Sequence, residues 1–275
     1  MVGRLTKWSC HQLECLTEFI RGYAAGLKDG SPEANLVELF AGPAGYTCKE
    51  AECAPAGLEA RLLKDKVPIS HLILLAKNAG EAAALEEALK PLDRKHAVNI
   101  ITGNCVREAV MRQVFDLIPR STQSFALINP PGYASLRWSV IKKLARHGTD
   151  WQGHKMDLCI IFPVEMALLR NLARRECQNS INRLYGGEEW QAVRQKHIEH
   201  KLSLDQTRKE LVELYKAQLK KLGYKHVEDA EPARFTSPPY YHVIWASDRT
   251  SRLKELRDIW GKERYLPCEM FHQTT

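Results

Sequence analysis

The sequence predicts an α/β protein with a doubly wound, mostly parallel sheet. Short continuous apolar runs recur through the first three fifths of the chain, and helical stretches separate them. Two runs rich in β-branched and aromatic residues near the C-terminus read as an antiparallel pair that closes the sheet. Runs without polar alternation suit strands covered on both faces.

Each element follows from its own residues. Over 7–26, Trp8, Leu13, Leu16, Phe19 and Ile20 recur at helical spacing, the core of an N-terminal helical segment over 1–30 that Gly30-Ser31-Pro32 breaks. Residues 36–40 make a first strand, ending in Ala41-Gly42-Pro43-Ala44-Gly45. Residues 71–76 are the second strand, and the alanine- and glutamate-rich stretch 79–90 a helix. A third strand over 98–101 and a helix over about 105–117 follow, then a fourth strand over 125–128, a helix over about 135–147 and a fifth strand over 157–162. After Pro163 the stretch 164–222 is almost wholly helical, interrupted at Gly186-Gly187. Residues 225–227 and 240–246 supply the two late strands, bringing the total to seven, and a helix over 250–260 follows. No repeat or low-complexity linker divides the chain, so 1–275 reads as one domain with a helical insertion over about 166–203.

The bulk numbers are those of a soluble globular protein: 275 residues, 44% hydrophobic and 27% charged. No apolar run approaches the ~20 residues that span a bilayer, and the first residues carry no signal-peptide core. The expectation is a cytoplasmic protein with no membrane contact. A net charge of +7 is compatible with a polyanionic partner. Eight cysteines are scattered along the chain. Cys105 and Cys159 lie in or beside apolar strands and read as reduced core thiols. Cys10 and Cys15, and Cys48 and Cys53, share a C-x4-C spacing. That is not the C-x2-C of zinc knuckles, and no metal site is expected.

Two turns carry chemistry. In "LVELFAGPAG" an apolar strand ends with Glu38 and Phe40, and Gly42 and Gly45 let backbone approach a ligand closely. The carboxylate could accept from an ammonium or a hydroxyl. The loop is neither G-x-G-x-x-G nor G-x-x-x-x-G-K-[ST], which disfavours a dinucleotide site and a nucleotide phosphate cradle.

In "FALINPPGY" the fourth strand stops at Asn129-Pro130-Pro131-Gly132-Tyr133, because proline cannot continue a ladder. The turn is either a plain exit from a buried strand or an acceptor site. It resembles the D/N-P-P-Y/F motif of enzymes that methylate exocyclic amines of bases, and that resemblance implies that the Asn129 side-chain oxygen and the Pro130 carbonyl would accept the two N–H bonds of an aromatic amine and aim its lone pair. Tyr133 would stack on a flipped base.

The first loop resembles the opening motif of S-adenosylmethionine-dependent methyltransferases. In the second motif Gly132 takes the usual aromatic position and the tyrosine follows it. Over about residues 7–250 the chain also resembles the three-Cys-motif partner (TcmP) family of methyltransferase-like proteins. That likeness rests on "LVELFAGPAG", "FALINPPGY", "DLCIIFPVEMALLRNL", "INRLYGGEEW", "LVELYKAQLKKLGYKHV" and "YYHVIWAS". The resemblance implies a Rossmann-like seven-stranded sheet of the class I methyltransferase type, with both loops on one sheet edge. It implies S-adenosylmethionine as cofactor, with Glu38, Phe40, Gly42 and Gly45 at the methionine end and Asn104 at the adenine. It implies a nucleic-acid partner, DNA or RNA, and allows a protein partner. Where such enzymes carry an acidic residue for the ribose, this chain has Ala76-Lys77-Asn78, so that Asn78 would substitute in part. That departure keeps open a second reading, a degenerate module of the same fold that binds nucleic acid or protein without catalysis.

Other polar groups have plainer readings. Arg170, Arg174 and Arg175, and Lys216, Lys220 and Lys221, read as solvated helix faces, although the first set follows the fifth strand and could line a substrate groove. His242 opens the last strand as a packed or exposed histidine, and Glu165 stands just past Pro163.

Overall fold

A computed structural model describes residues 3–5, 7–26, 34–43, 45–48, 56–93, 97–120, 122–150, 152–232 and 241–261. The chain forms two units, one up to Gln123 and the other from Ser124 to Gly261.

The first unit opens with β1 (Gly3–Leu5) and the helix α1 (Lys7–Ala25). The predicted apolar stripe of α1 is buried through Leu13, Leu16, Phe19 and Ile20. Next come β2 (Ala34–Glu38), β3 (Tyr46–Cys48), α2 (Leu58–Lys64), β4 (Ile69–Ala76), α3 (Ala79–Leu89), β5 (Val98–Thr102) and α4 (Glu108–Asp116). β4 lies between β2 and β5 and is parallel to both, with Leu36 opposite Leu72 and Leu74 opposite Ile100. Salt bridges from Arg21 to Asp65 and from Glu14 to Arg61 tie α1 to the region of α2. The first main strand corrects the expected 36–40: it runs from residue 34 and ends at Glu38, and Leu39 and Phe40 already turn. A small parallel pair of β1 with β3 adds to the expected strands. Three-residue strands are too short to show a pattern.

The second unit begins with β6 (Ser124–Ile128), a 3₁₀ turn over Tyr133–Ser135, α5 (Trp138–Arg146) and β7 (Asp157–Phe162). A π-helical stretch over Val164–Leu169, a 3₁₀ turn over Arg175–Cys177, α6 (Gln178–Tyr185), α7 (Trp190–Ile198) and α8 (Leu204–Lys221) follow. β8 (His226–Ala230), β9 (His242–Ser247) and α9 (Leu253–Trp260) complete it. β6 and β7 are parallel, while β9 runs antiparallel to both β7 and β8. Seven strands in these two groups, connected through helices and ending in an antiparallel pair, make the α/β class expected.

Local chemistry explains the boundaries in the helical stretch. α6 stops at Gly186, whose φ of +72° favours glycine and where a Cβ would lie 2.1 Å from Trp138 Cδ1. A capping box starts α8, with Ser203 accepting from the Gln206 amide and the Gln206 side chain accepting from the Ser203 amide. Tyr215 of α8 meets Phe162 of β7 with ring centroids 4.6 Å apart and Trp138 of α5 edge-on at 5.4 Å. These aromatic contacts join strand and helices into one core.

Candidate functional site

In an open α/β sheet, ligands bind beyond the carboxyl ends of the strands. β2, β4 and β5 are parallel neighbours, so their carboxyl ends share one edge of the first unit. The turn after β2 is anchored by the Ala41 amide donating to Leu75 O at 3.1 Å, and the turn after β5 by the Gly103 amide donating to Ala76 O at 2.8 Å. Gly103 has φ of +149° and lies so close to Val110 that a Cβ would fall 2.7 Å from its Cγ2.

Glu38 is the last residue of β2 and is 5% exposed. Facing it is a residue with no sequence signal, Glu59 of α2, which is 1% exposed. Glu38 Oε2 and both carboxyl oxygens of Glu59 are buried outside any well-formed hydrogen bond. Burial first, and then the charge and hydrogen bonding of Glu59, raise the Glu38 carboxyl well above the ordinary carboxylate range. Burial raises Glu59 too, opposed by its own amide, by Glu38 and by the Gly42 amide. Tyr46 is the third member of the cluster. Burial, then Glu59, then Glu38, push its phenol up against a counter-effect from Arg61. Its hydroxyl rests against the glycine turn, where a Cβ on Gly42 would lie 2.3 Å away. A side chain at position 42 would therefore require the Tyr46 hydroxyl to move. Gly45 has open space beyond it and forms an isolated bridge with Ala56. Phe40 and Gly42 are partly exposed in the same turn.

At the end of β4, Asn78 caps α3. Its Oδ1 accepts from the Glu81 amide and its Nδ2 donates to Glu81 Oε1, both at 2.9 Å. Glu81 Oε2 also accepts from the Lys77 amide at 3.2 Å. The amide of Asn78 is thus engaged at both ends, and a carboxylate stands beside the strand end after all, supplied from the first turn of the helix. The spacing Asn78-x-x-Glu81 is that of a capping box, which is the signal that could have found it. After β5, Asn104 is exposed and its Oδ1 accepts from the Val106 amide at 2.9 Å.

In the second unit, Asn129 follows β6 directly and is partly exposed, while Pro130 is buried. Tyr133 is only 6% exposed, and its hydroxyl accepts from Ser180 Oγ at 3.4 Å. Its ring is part of the packing of the turn against α6, not an open platform for a base. Arg170, Arg174, Arg175 and Arg183 are exposed, and no carboxylate pairs with them among the described residues. Arg174 lies within electrostatic reach of the Tyr133 phenol.

Lys216 departs from the expected solvated face. Its side chain is 12% exposed and bridges to Asp229 at 2.7 Å, whereas Lys220 and Lys221 are exposed. His242 is packed at 2% exposure, with Nδ1 3.2 Å from Asp229 Oδ2. Cys105 and Cys159 are buried thiols. Cys10 and Cys15 lie on α1, but Cys53 and the side chains of Cys48 and Glu165 fall outside the described residues. Among the described residues no group of three metal-ligating side chains occurs, and no helix is long and apolar enough to cross a membrane.

No known family's sequence profile matches the chain, and no curated protein matches it. Solved structures do. The chain is similar to M. jannaschii TYW2 in complex with AdoMet, at 12% identity and a TM-score of 0.40 over 84% of this chain and 74% of that one. It is also similar to the CMeT domain of the citrinin polyketide synthase, at 13% identity and a TM-score of 0.42 over 81% of this chain and 48% of that one. With identities and scores this low, function rests on the residues of this chain.

Proposed function

We propose that the protein is an S-adenosylmethionine-dependent methyltransferase of the TcmP kind, acting in the cytoplasm on an exocyclic amine of a nucleic-acid base. The observation that carries this reading is the turn after β2. There a glycine packed against the Tyr46 hydroxyl follows the buried carboxyl of Glu38, at the carboxyl end of a parallel strand.

The residues fit the cofactor. Glu38 and the turn containing Phe40, Gly42 and Gly45 would hold the amino-acid end. Glu81, with Asn78 holding it in place, would take the ribose hydroxyls, and Asn104 Nδ2 would face the adenine. When bound, S-adenosylmethionine supplies an electrophilic methyl group on a sulfonium. Asn129 Oδ1 and the Pro130 carbonyl would accept the amine's two N–H bonds and direct its lone pair, which is catalysis by orientation and not by a strong base. The exposed arginines over 170–183 would contact the phosphates of the acceptor.

Calorimetry with S-adenosylmethionine and S-adenosylhomocysteine tests the cofactor, and transfer of a labelled methyl group to DNA and to RNA tests the acceptor. Micromolar to millimolar binding with label in a base amine is the expected result; no heat at millimolar ligand would sink the reading.

The burial of Tyr133 favours a second reading, a non-catalytic module that binds nucleic acid or a protein partner. A salt-dependent mobility shift that ignores the cofactor, with no methyl transfer, would identify it.

A further inference from the structure

We propose that Arg137 grips a phosphate of the acceptor strand, next to the nucleotide whose base amine Asn129 and Pro130 receive. The inference rests on the nucleic-acid reading above and adds to it the group that positions the target nucleotide.

The argument starts from an unmet cation. Arg137 is partly buried, its Nε is closed off from solvent without a hydrogen bond, and among the described residues no carboxylate or carbonyl engages its guanidinium. Every other described arginine that is not exposed has a partner. Arg61, Arg208, Arg249 and Arg252 each meet a carboxylate, and Arg194 donates to Leu172 O and Ala173 O, both at 3.1 Å. A guanidinium that gives up hydration calls for a counter-charge, because a charge taken out of water is costly unless it is paired. Arg137 departs from that rule in a molecule that otherwise keeps it.

Its place in the chain sharpens the demand. Arg137 is the N-cap of α5, whose first turn holds no acidic residue and whose start has no side-chain cap. The start of a helix carries partial positive charge, so a cation there is repelled and an anion is favoured.

Arg137 also stands beside the acceptor turn. The chain leaves β6 at Asn129, and hydrogen bonds from the Ser135 amide to Gly132 O at 3.1 Å and from the Leu136 amide to Tyr133 O at 3.2 Å coil it before α5 begins. The start of α5 is therefore held at the carboxyl end of β6, where an open α/β sheet binds its ligands. Tyr133 is buried and gives a base no platform, so the target nucleotide is held from its backbone. The two Nη groups of Arg137 are not closed off, and they form the fork that fits two oxygens of one phosphate.

A phosphate walk with the full chain tests this. The probes are short strands of thymidylate or uridylate carrying a single adenine or cytosine, so that one base alone has an exocyclic amine. Each phosphodiester in turn is replaced by an uncharged methylphosphonate, and binding is followed by fluorescence anisotropy alongside labelled methyl transfer. The expected result is that one replacement beside the amine-bearing base weakens binding to the wild type roughly tenfold or more. Arg137→Gln should already be weakened by a similar factor and lose nothing further from that replacement. Arg137→Lys keeps the charge but not the fork and should recover only part of the loss. Because the cation has no partner inside the protein, Arg137→Gln should melt no lower than the wild type. A clearly lower melt would reveal an internal partner and overturn the proposal, as would equal weakening of both proteins by that replacement. Methyl transfer with no position-specific effect would also overturn it, and would leave the nucleic-acid reading standing. If no strand binds, or a glutamate-rich peptide binds through Arg137 in its place, the nucleic-acid reading falls and this inference with it.

Discussion

The Tyr46 hydroxyl lies against Gly42 so closely that a Cβ at position 42 would fall 2.3 Å from it, while the next atom of the ring stands at 3.5 Å. One oxygen atom therefore has to move before position 42 can carry a side chain. Gly42→Ala should cost about 1–3 kcal/mol through overpacking and weaken S-adenosylmethionine binding at least tenfold. Removing the oxygen should relieve the clash. The double variant Gly42→Ala/Tyr46→Phe is expected to regain most of the lost stability and affinity. Chemical denaturation and calorimetry on the four members of the cycle give the coupling, and strictly additive effects would show that the contact is not the reason for the glycine.

A second consequence concerns the end of β4. Glu81 both completes the cap of α3 and places a carboxylate where Lys77 and Asn78 provide none. The two roles separate by substitution. Glu81→Gln keeps one acceptor oxygen, for either the Lys77 amide or Asn78 Nδ2, and loses the other, so stability should fall by about 0.5–1 kcal/mol. A ribose diol hydrogen-bonded to a carboxylate would lose about 1.5–3 kcal/mol of the charge-assisted interaction, so cofactor affinity should fall roughly ten- to hundredfold. Asn78→Ala should do the reverse in part, costing about 1 kcal/mol of stability through the lost cap. Equal affinity for wild type and Glu81→Gln would confine Glu81 to its capping role.

These two residues show what the sequence could and could not reveal. The strands were readable because each is a continuous apolar run, and so were the two turns, because glycine and proline leave few backbone alternatives. Glu38 was readable as a carboxylate at a strand end. Its partner Glu59 was not, because the contact is made by a helix distant in the chain and neither residue's neighbours carry a pattern that encodes it. The expected stacking of Tyr133 on a flipped base requires an open ring face. Its burial depends on Ser180 of α6, a tertiary contact that no local periodicity records. Lys216 reads from sequence as a solvated lysine because it shares a helix with exposed ones. Its pairing with Asp229 comes from β8, which packs beside it.

That ion pair has a measurable pH signature. Burial alone would raise Asp229, but the hydrogen bonds from His242 and Lys216 outweigh it and hold the carboxyl down to about 2. A depressed carboxyl stabilises the fold at pH values above its unfolded value and loses that contribution as pH falls through the folded one. The contribution of Asp229 should therefore be complete above about pH 4 and vanish toward about pH 2, with a size of about 2 kcal/mol. Lys216→Met removes one of the two partners. It should lower stability at neutral pH by about 1–2 kcal/mol and shift the acid transition upward in pH, followed by urea denaturation at stepped pH. A variant whose acid limb overlays the wild type would place the source of the shift elsewhere.

The arginines over 170–183 bear on the acceptor. Arg170, Arg174, Arg175 and Arg183 are exposed and without a carboxylate partner among the described residues, so a phosphate backbone could use them without first breaking ion pairs. Each phosphate contact releases condensed counterions and contributes roughly 0.9 to the slope of log K against log salt on duplex DNA, or about 0.7 on single strands. The double variant Arg174→Ala/Arg175→Ala should accordingly reduce the slope by roughly 1.4–1.8 while leaving S-adenosylmethionine affinity unchanged. It should weaken all sequences alike, because phosphate contacts position the acceptor and do not read it. Comparing duplex DNA, single-stranded DNA and structured RNA in the same salt series then identifies the acceptor by which slope the variant lowers. A variant that lowers no slope would remove these arginines from the interface and leave the charge of +7 to act only as a diffuse attraction.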